Sequence, residues 1–182
     1  MITPIPSTVN AAIPDGFKPL AEVPDGLFTD TNGPLYRKRE ADRFVLGMRV
    51  ERRHCNPTLI CHGGMLMTFV DMAMVMTAIY QGGLKNFLPT VSLTADFLAA
   101  APLGSWIEAR TDLLNQTRNM VFAQCLVTND GKPVTRASAV FKIGPEFQRP
   151  PRLAADRGTA GASQVESPPP GSPCPSAHTP TG

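Results

Sequence analysis

Two features of this 182-residue chain are placed where they could do chemistry. Asp71 is the one charged residue in the apolar block from Met65 to Tyr80. An unpartnered carboxylate among apolar side chains is costly, so it calls for a hydrogen-bond partner, a shifted pKa or a catalytic task. Gly63 and Gly64 stand just before the same block. Backbone N–H groups at a helix start have no partner within the helix, and glycine lets a ligand approach them closely. The two features combine into a site for acyl transfer. The Gly63 N–H would stabilise the oxyanion of a carbonyl under attack. Asp71 would activate water as general base, or attack as nucleophile. Asn56 and His62, in the loop before the helix, would orient the water or the loop. No GxSxG nucleophile elbow occurs in the chain. A thiol leaving group, with a pKa of about 8.5, needs no strong general acid, which favours a thioester over an amide.

The spacing adds a constraint. Gly63 and Asp71 are eight residues apart, so at ~1.5 Å per residue they lie about 12 Å apart along one helix. They cannot meet the same carbonyl. Two antiparallel helices across a two-fold axis would supply one group each, so the chemistry predicts a homodimer at least.

The elements that must carry these residues follow from periodicity. Met65 to Tyr80 has no proline or glycine, and its Met, Leu and Ala content argues for a helix, apolar on nearly every side and ended at Gln81-Gly82-Gly83. Before it, Leu35 to Glu40 and Arg43 to Arg52 read as short strands. After it, Thr90 to Ala99 sets Val91, Leu93, Ala95 and Phe97 on one face and Ser92, Thr94 and Asp96 on the other. Trp106 to Asn115, Asn119 to Thr128 and Pro133 to Ile143 are further strands, the last two joined by a hairpin at Asn129-Asp130-Gly131. This order gives an α+β class, one antiparallel sheet wrapped around one long central helix.

Proline and charge mark the boundaries. Residues 1–34 hold six prolines, 35–144 four, and 145–182 nine. The sequence therefore divides into an N-terminal extension (1–34), a globular domain (35–144) and a Pro-rich tail (145–182) expected to be disordered. Phe17, Leu20, Val23, Leu27 and Phe28 suggest that the extension packs on the domain as a lid or flank of an acyl pocket. A net charge of +2 without a basic cluster argues against nucleic acid as a partner. The apolar block, interrupted by Asp71, is short for a membrane span, and the N-terminus has no signal-peptide pattern. The four cysteines form no CxxC pair, and a cytoplasmic location is expected. His54-Cys55 and Cys61-His62 would be adjacent ligands, an awkward set for a tetrahedral zinc site, so no metal or cofactor is expected.

The pattern N-x5-HGG-x6-D-x-A from Asn56 to Ala73, the strand at Thr90, the Pro102-Leu103-Gly104 turn and Thr117-Arg118 resemble the hotdog-fold acyl-CoA thioesterases. The PaaI-type branch of the 4-hydroxybenzoyl-CoA thioesterase superfamily is the group meant. The resemblance runs from Leu35 to Ile143. It implies a hotdog fold, an acyl-CoA substrate, and a dimer or a dimer of dimers. It implies that Asp71 is the catalytic carboxylate and Gly63 the oxyanion donor from the other subunit. Asn56 would position water or carbonyl, His62 would brace the loop, and Ser92 would place a hydroxyl near the carboxylate. Arg118 would meet coenzyme A phosphates, with Thr117 standing where the family's turn has glycine. Gly64 and Met67 would border the substrate, and the other helix methionines could shape an adaptable acyl pocket. Two other functions compete. One is a non-catalytic acyl-CoA-binding or regulatory domain, for which a buried Asp71 would have no purpose. The other is an enoyl-thioester hydratase, disfavoured because no histidine lies between Gly63 and Ala177.

Overall fold

The computed structural model describes residues 12–20 and 27–146. The chain divides into Met1–Arg149 and Pro150–Gly182. The second unit, and with it nearly all of the Pro-rich tail, lies outside the described residues. Of the tail, only Pro145 and Glu146 are described. Both are tied back, since the Phe87 N–H donates to the Pro145 carbonyl at 2.9 Å and Glu146 bridges to Asn86.

Within the first unit, a two-residue strand β1 (Lys18–Pro19) and a short helix α1 (Phe28–Asn32) precede the main elements. Strands β2 (Leu35–Glu40) and β3 (Arg43–Arg49) form a hairpin. A 3-10 turn (Arg52–His54) and a loop lead into helix α2 (Gly63–Tyr80). Strands β4 (Thr90–Phe97), β5 (Trp106–Gln116), β6 (Met120–Asn129) and β7 (Lys132–Lys142) complete the sheet. The spatial order is β1-β2-β3-β5-β6-β7-β4, antiparallel throughout. The strand and helix expectations hold, with ends moved by a few residues. Asp130 and Gly131 both take positive φ, 49° and 76°, as a two-residue hairpin with the right-handed strand twist requires.

α2 lies across the sheet. Phe69, Val70, Ala73, Met74, Thr77 and Ala78 are its buried middle. They pack against Leu46 and Met48 of β3, Ile107 and Ala109 of β5, Val121 to Val127 of β6, and Phe141 of β7 in one core. The helix reaches eighteen residues and is apolar enough to cross a membrane by length and composition, longer than the apolar block suggested. Its side chains explain the composition another way, because the buried ones belong to the sheet's core. Burial is not uniform around it. Met67, Thr68, Asp71, Met72, Val75, Met76 and Ile79 are only half-buried. At i, i+4 spacing these residues form a stripe that the chain's own sheet leaves partly open.

The N-terminal segment packs on the opposite face and the opposite edge. Phe17 forms a second apolar cluster with Val45 and Trp106, and Tyr36 packs against it. Gly47 makes room for it: a Cβ there would lie 2.8 Å from Phe17 Cε1 and closer still to Trp106 Cζ2. The Leu20 N–H donates to the Leu35 carbonyl at 2.8 Å. Residues 18–20 therefore flank β2, at the edge of the sheet farthest from β4. Val23, with the rest of residues 1–11 and 21–26, lies outside the described residues.

Candidate active site

The loop from Cys55 to Cys61 delivers the chain to the start of α2. Asn56 organises it. Its side-chain Oδ1 accepts from the Thr58 N–H at 3.0 Å, the Thr58 hydroxyl at 2.8 Å and the Ile60 N–H at 3.3 Å. This turn is what an asparagine before proline can do, because its short amide reaches backbone groups two residues on. Its Oδ1 is thus occupied by the loop, and the Nδ2 group remains to meet a second partner.

His62 caps α2. Its Nδ1 accepts from the Gly64 N–H at 2.9 Å, so a neutral ring carries its proton on Nε2. The loop brace expected of this residue is therefore a side-chain cap. It also divides the two glycines. Gly64 gives its N–H to the cap, whereas the Gly63 N–H has no partner among the described residues. Phe97, at the far end of β4, lies against Gly63, where an added Cβ would meet its ring at 3.4 Å.

Asp71 lies two turns further along α2 and is half-buried. Its Oδ1 accepts from the Thr90 hydroxyl at 2.7 Å. β4 therefore runs beside the helix in the opposite sense, its first residue at Asp71 and its last at Gly63. Met67, between them on the helix, belongs to the partly open stripe.

Ser92 stands elsewhere. The β4–β7 register passes from Thr90↔Phe141 to Ser92↔Val140, so Val91 is an extra residue, a β-bulge. Phe141 is in the core, so Thr90 faces the helix, while Ser92 pairs with Val140 on the outer face. Strict alternation would have turned Val91 inward and Thr90 outward. The hydroxyl beside the carboxylate thus comes from Thr90, two places earlier than expected, and nothing in the sequence alone marks the bulge.

Arg118 is exposed at the β5–β6 turn, which is held by Thr117: its hydroxyl accepts from the Met120 N–H at 3.0 Å, and its own N–H donates to the Met120 carbonyl at 2.9 Å. Val121 pairs with Phe141, and Phe141 with Thr90. The turn therefore projects from the Asp71 end of the sheet, two strands over from β4. His54 is a site neighbour that sequence reasoning passed over. It is buried, its Nδ1 accepts from the Glu51 N–H at 3.0 Å, and its carbonyl accepts from the His62 N–H at 2.8 Å. Burial, and then the nearby Arg53 charge, hold its pKa below the ordinary histidine value. In the sequence His54 drew attention only as an awkward zinc ligand, and the tie to His62 is visible only in the fold.

A model described as the thioesterase superfamily matches residues 60–135. The chain is 30% identical over 132 residues to a provisionally named esterase of Pseudomonas aeruginosa, covering 72% of this chain and 97% of that protein. Among solved structures, zebrafish thioesterase superfamily member 2 matches with a TM-score of 0.60 and 27% identity, over 66% of this chain and 89% of that one. A variant of the phenylacetic acid degradation protein PaaI from Thermus thermophilus matches with a TM-score of 0.55 and 23% identity, over 64% and 97%. A hypothetical thioesterase from Streptococcus pneumoniae, solved with coenzyme A, has a TM-score of 0.55 and 19% identity, over 63% and 88%. The last two show a shared fold.

Proposed function

The chain belongs to the thioesterase superfamily and carries its hotdog fold, and on that premise we propose that it hydrolyses an acyl-CoA thioester to the free acid and coenzyme A. The observation that carries this reading is the Asp71 carboxylate. It is set on an apolar helix, held by one hydroxyl from β4, and only half-buried. A domain that only binds acyl-CoA has no use for such a group.

In the proposed reaction the substrate carbonyl oxygen accepts from the Gly63 N–H, helped by the positive end of α2. Asp71 takes a proton from water, whose oxygen bonds to the carbonyl carbon, or its own oxygen makes that bond first and water releases the acid later. In either case the C–S bond breaks and the thiolate leaves, stable enough to depart without strong acid assistance. Thr90 orients the carboxylate. In this reading the Asn56 Nδ2 group would hold water or carbonyl, and Gly64 and Met67 would border the acyl group. Arg118 offers its cation to the phosphates. The helical distance between Gly63 and Asp71, about 12 Å, makes each site a composite of two subunits. The partly open stripe of α2 and the exposed apolar residues of β4 support pairing in a homodimer, alone or doubled.

The test is free-thiol release from short, medium, long and aryl acyl-CoAs, with Asp71→Asn run in parallel. The substitution is expected to lower turnover by roughly 10²–10⁴-fold. An unchanged rate would refute the assignment of Asp71. No turnover on any substrate would favour the binding reading.

A further inference from the structure

Cys55 and Cys61 face each other across an isolated antiparallel bridge. The hydrogen bonds flank the pair: the His62 N–H donates to the His54 carbonyl at 2.8 Å, and the Asn56 N–H to the Ile60 carbonyl at 2.9 Å. The two cysteines exchange no backbone bond. They are therefore a non-hydrogen-bonded pair, the narrow kind, with Cα atoms about 4.5 Å apart and side chains on the same face. A disulfide spans Cα separations of about 4.4–6.8 Å, so the backbone is already within reach of one. Both thiols are free. Cys55 is half-buried and open to a small reagent, while Cys61 is 5% exposed behind it.

We propose that Cys55 and Cys61 form a redox-closable pair, and that a peroxide joins them in a cross-strand disulfide that locks the Asn56 loop at the entrance to α2. The Cys55 sulfur attacks one peroxide oxygen. The O–O bond breaks, and hydroxide leaves as water with the thiol proton. The Cys61 sulfur then attacks the Cys55 sulfenic sulfur, the S–S bond forms, and the S–O bond breaks to release a second water. The two thiols lose two electrons and two protons, and one peroxide is reduced to two waters. The closed ring contains only residues 55–61. It ties down the turn that Asn56 holds and the residue preceding the His62 cap. Because the register needs no change, the lock fixes the loop in the conformation it already has. It therefore holds turnover to a higher temperature and does not shut the site. That bearing on turnover rests on the hydrolase reading; the thiol chemistry does not.

Burial pushes both thiols up, that of Cys61 to about 12 with Cys55 adding to the effect. Thiolate is scarce at neutral pH, so closure is slow there and quickens as pH rises.

The experiment uses the full chain in a Cys125→Ala/Cys174→Ala background, treated with hydrogen peroxide at several pH values. Peptide mass spectrometry is expected to find Cys55 and Cys61 linked within one chain. The melting temperature is expected to rise by ~5 °C and to return with dithiothreitol. Cys55→Ser and, separately, Cys61→Ala should abolish the rise. Sulfenic or sulfinic Cys55 without the link, links only between chains, or a link that leaves the melting temperature unmoved would each overturn the proposal. If the link and the rise appear while no acyl-CoA is turned over in either redox state, the hydrolase reading fails and the redox pair stands.

Discussion

The two edges of the sheet are finished differently. At the β1–β2 edge the chain covers itself, since β1 pairs with β2 and the same segment covers the neighbouring outer face of β3 and β5. Phe17 meets Trp106 edge-on at 5.0 Å, the Arg49 guanidinium sits 5.1 Å from the Trp106 ring centre, and the same guanidinium donates to the Ala12 carbonyl at 2.6 Å. At the β4 edge nothing in the described chain does this. Val91 is 57% exposed, and Phe97 and Leu98 are each 53% exposed. An apolar edge strand left open is a template for pairing with another chain. The proposed chemistry would stand at this second edge, where Thr90 meets Asp71 and Phe97 lies against Gly63. A site built at an edge can be completed by a second copy, while an edge sealed by the chain's own N-terminus cannot.

That contrast can be broken first where it should matter most. Phe97→Asp puts a charge into the open edge. It is expected to separate the subunits in size-exclusion chromatography and to lower acyl-CoA hydrolysis by on the order of 100-fold, with an unchanged circular dichroism spectrum as the control for folding. Thr90→Val keeps the shape and removes the hydroxyl from Asp71. A loss of about 10-fold in kcat is expected, restored by Thr90→Ser, with KM little altered.

The sealed edge should respond in stability instead. Gly47→Ala forces a methyl between Phe17 and Trp106 and is expected to cost about 1–3 kcal/mol in denaturant unfolding, while turnover per folded molecule is kept. The smallest effect is with pH. His54 is held below its ordinary value of 6.5 in the folded chain. Below that pH the unfolded chain binds a proton that the folded chain resists, so stability falls as pH drops from about 6.5, by at most about 1.4 kcal/mol per pH unit. His54→Asn, which keeps an acceptor for the Glu51 N–H, should flatten that slope in melting-temperature measurements.

Much of this was legible in the residues themselves. The long helix and the strands around it follow from periods of 3.6 and 2, and Asp71 and Gly63 are conspicuous because their types conflict with their surroundings. What could not be read was non-local. Gly47 looks like any glycine in a strand until Phe17 and Trp106 close on it from distant parts of the chain. The division of work between Gly63 and Gly64 depends on which way the His62 ring turns. Nearly every side of α2 reads as apolar from composition, yet its stripe through Asp71 and Met76 is left partly open, since an apolar surface awaiting a partner has the same composition as one already covered.

The bulge at Val91 has a consequence for how such sites are sought. A strand keeps parity: residues an even number of places apart share a face. Thr90 lies three places before the inward-facing Leu93, and only the odd residue at 91 reconciles that count with a shared face. In a relative lacking the extra residue, the same hydroxyl would stand two places before the matching position. A search that fixes the offset between carboxylate and hydroxyl will therefore align the wrong side chain. Counting back through the partner strand, from Phe141, finds the right one.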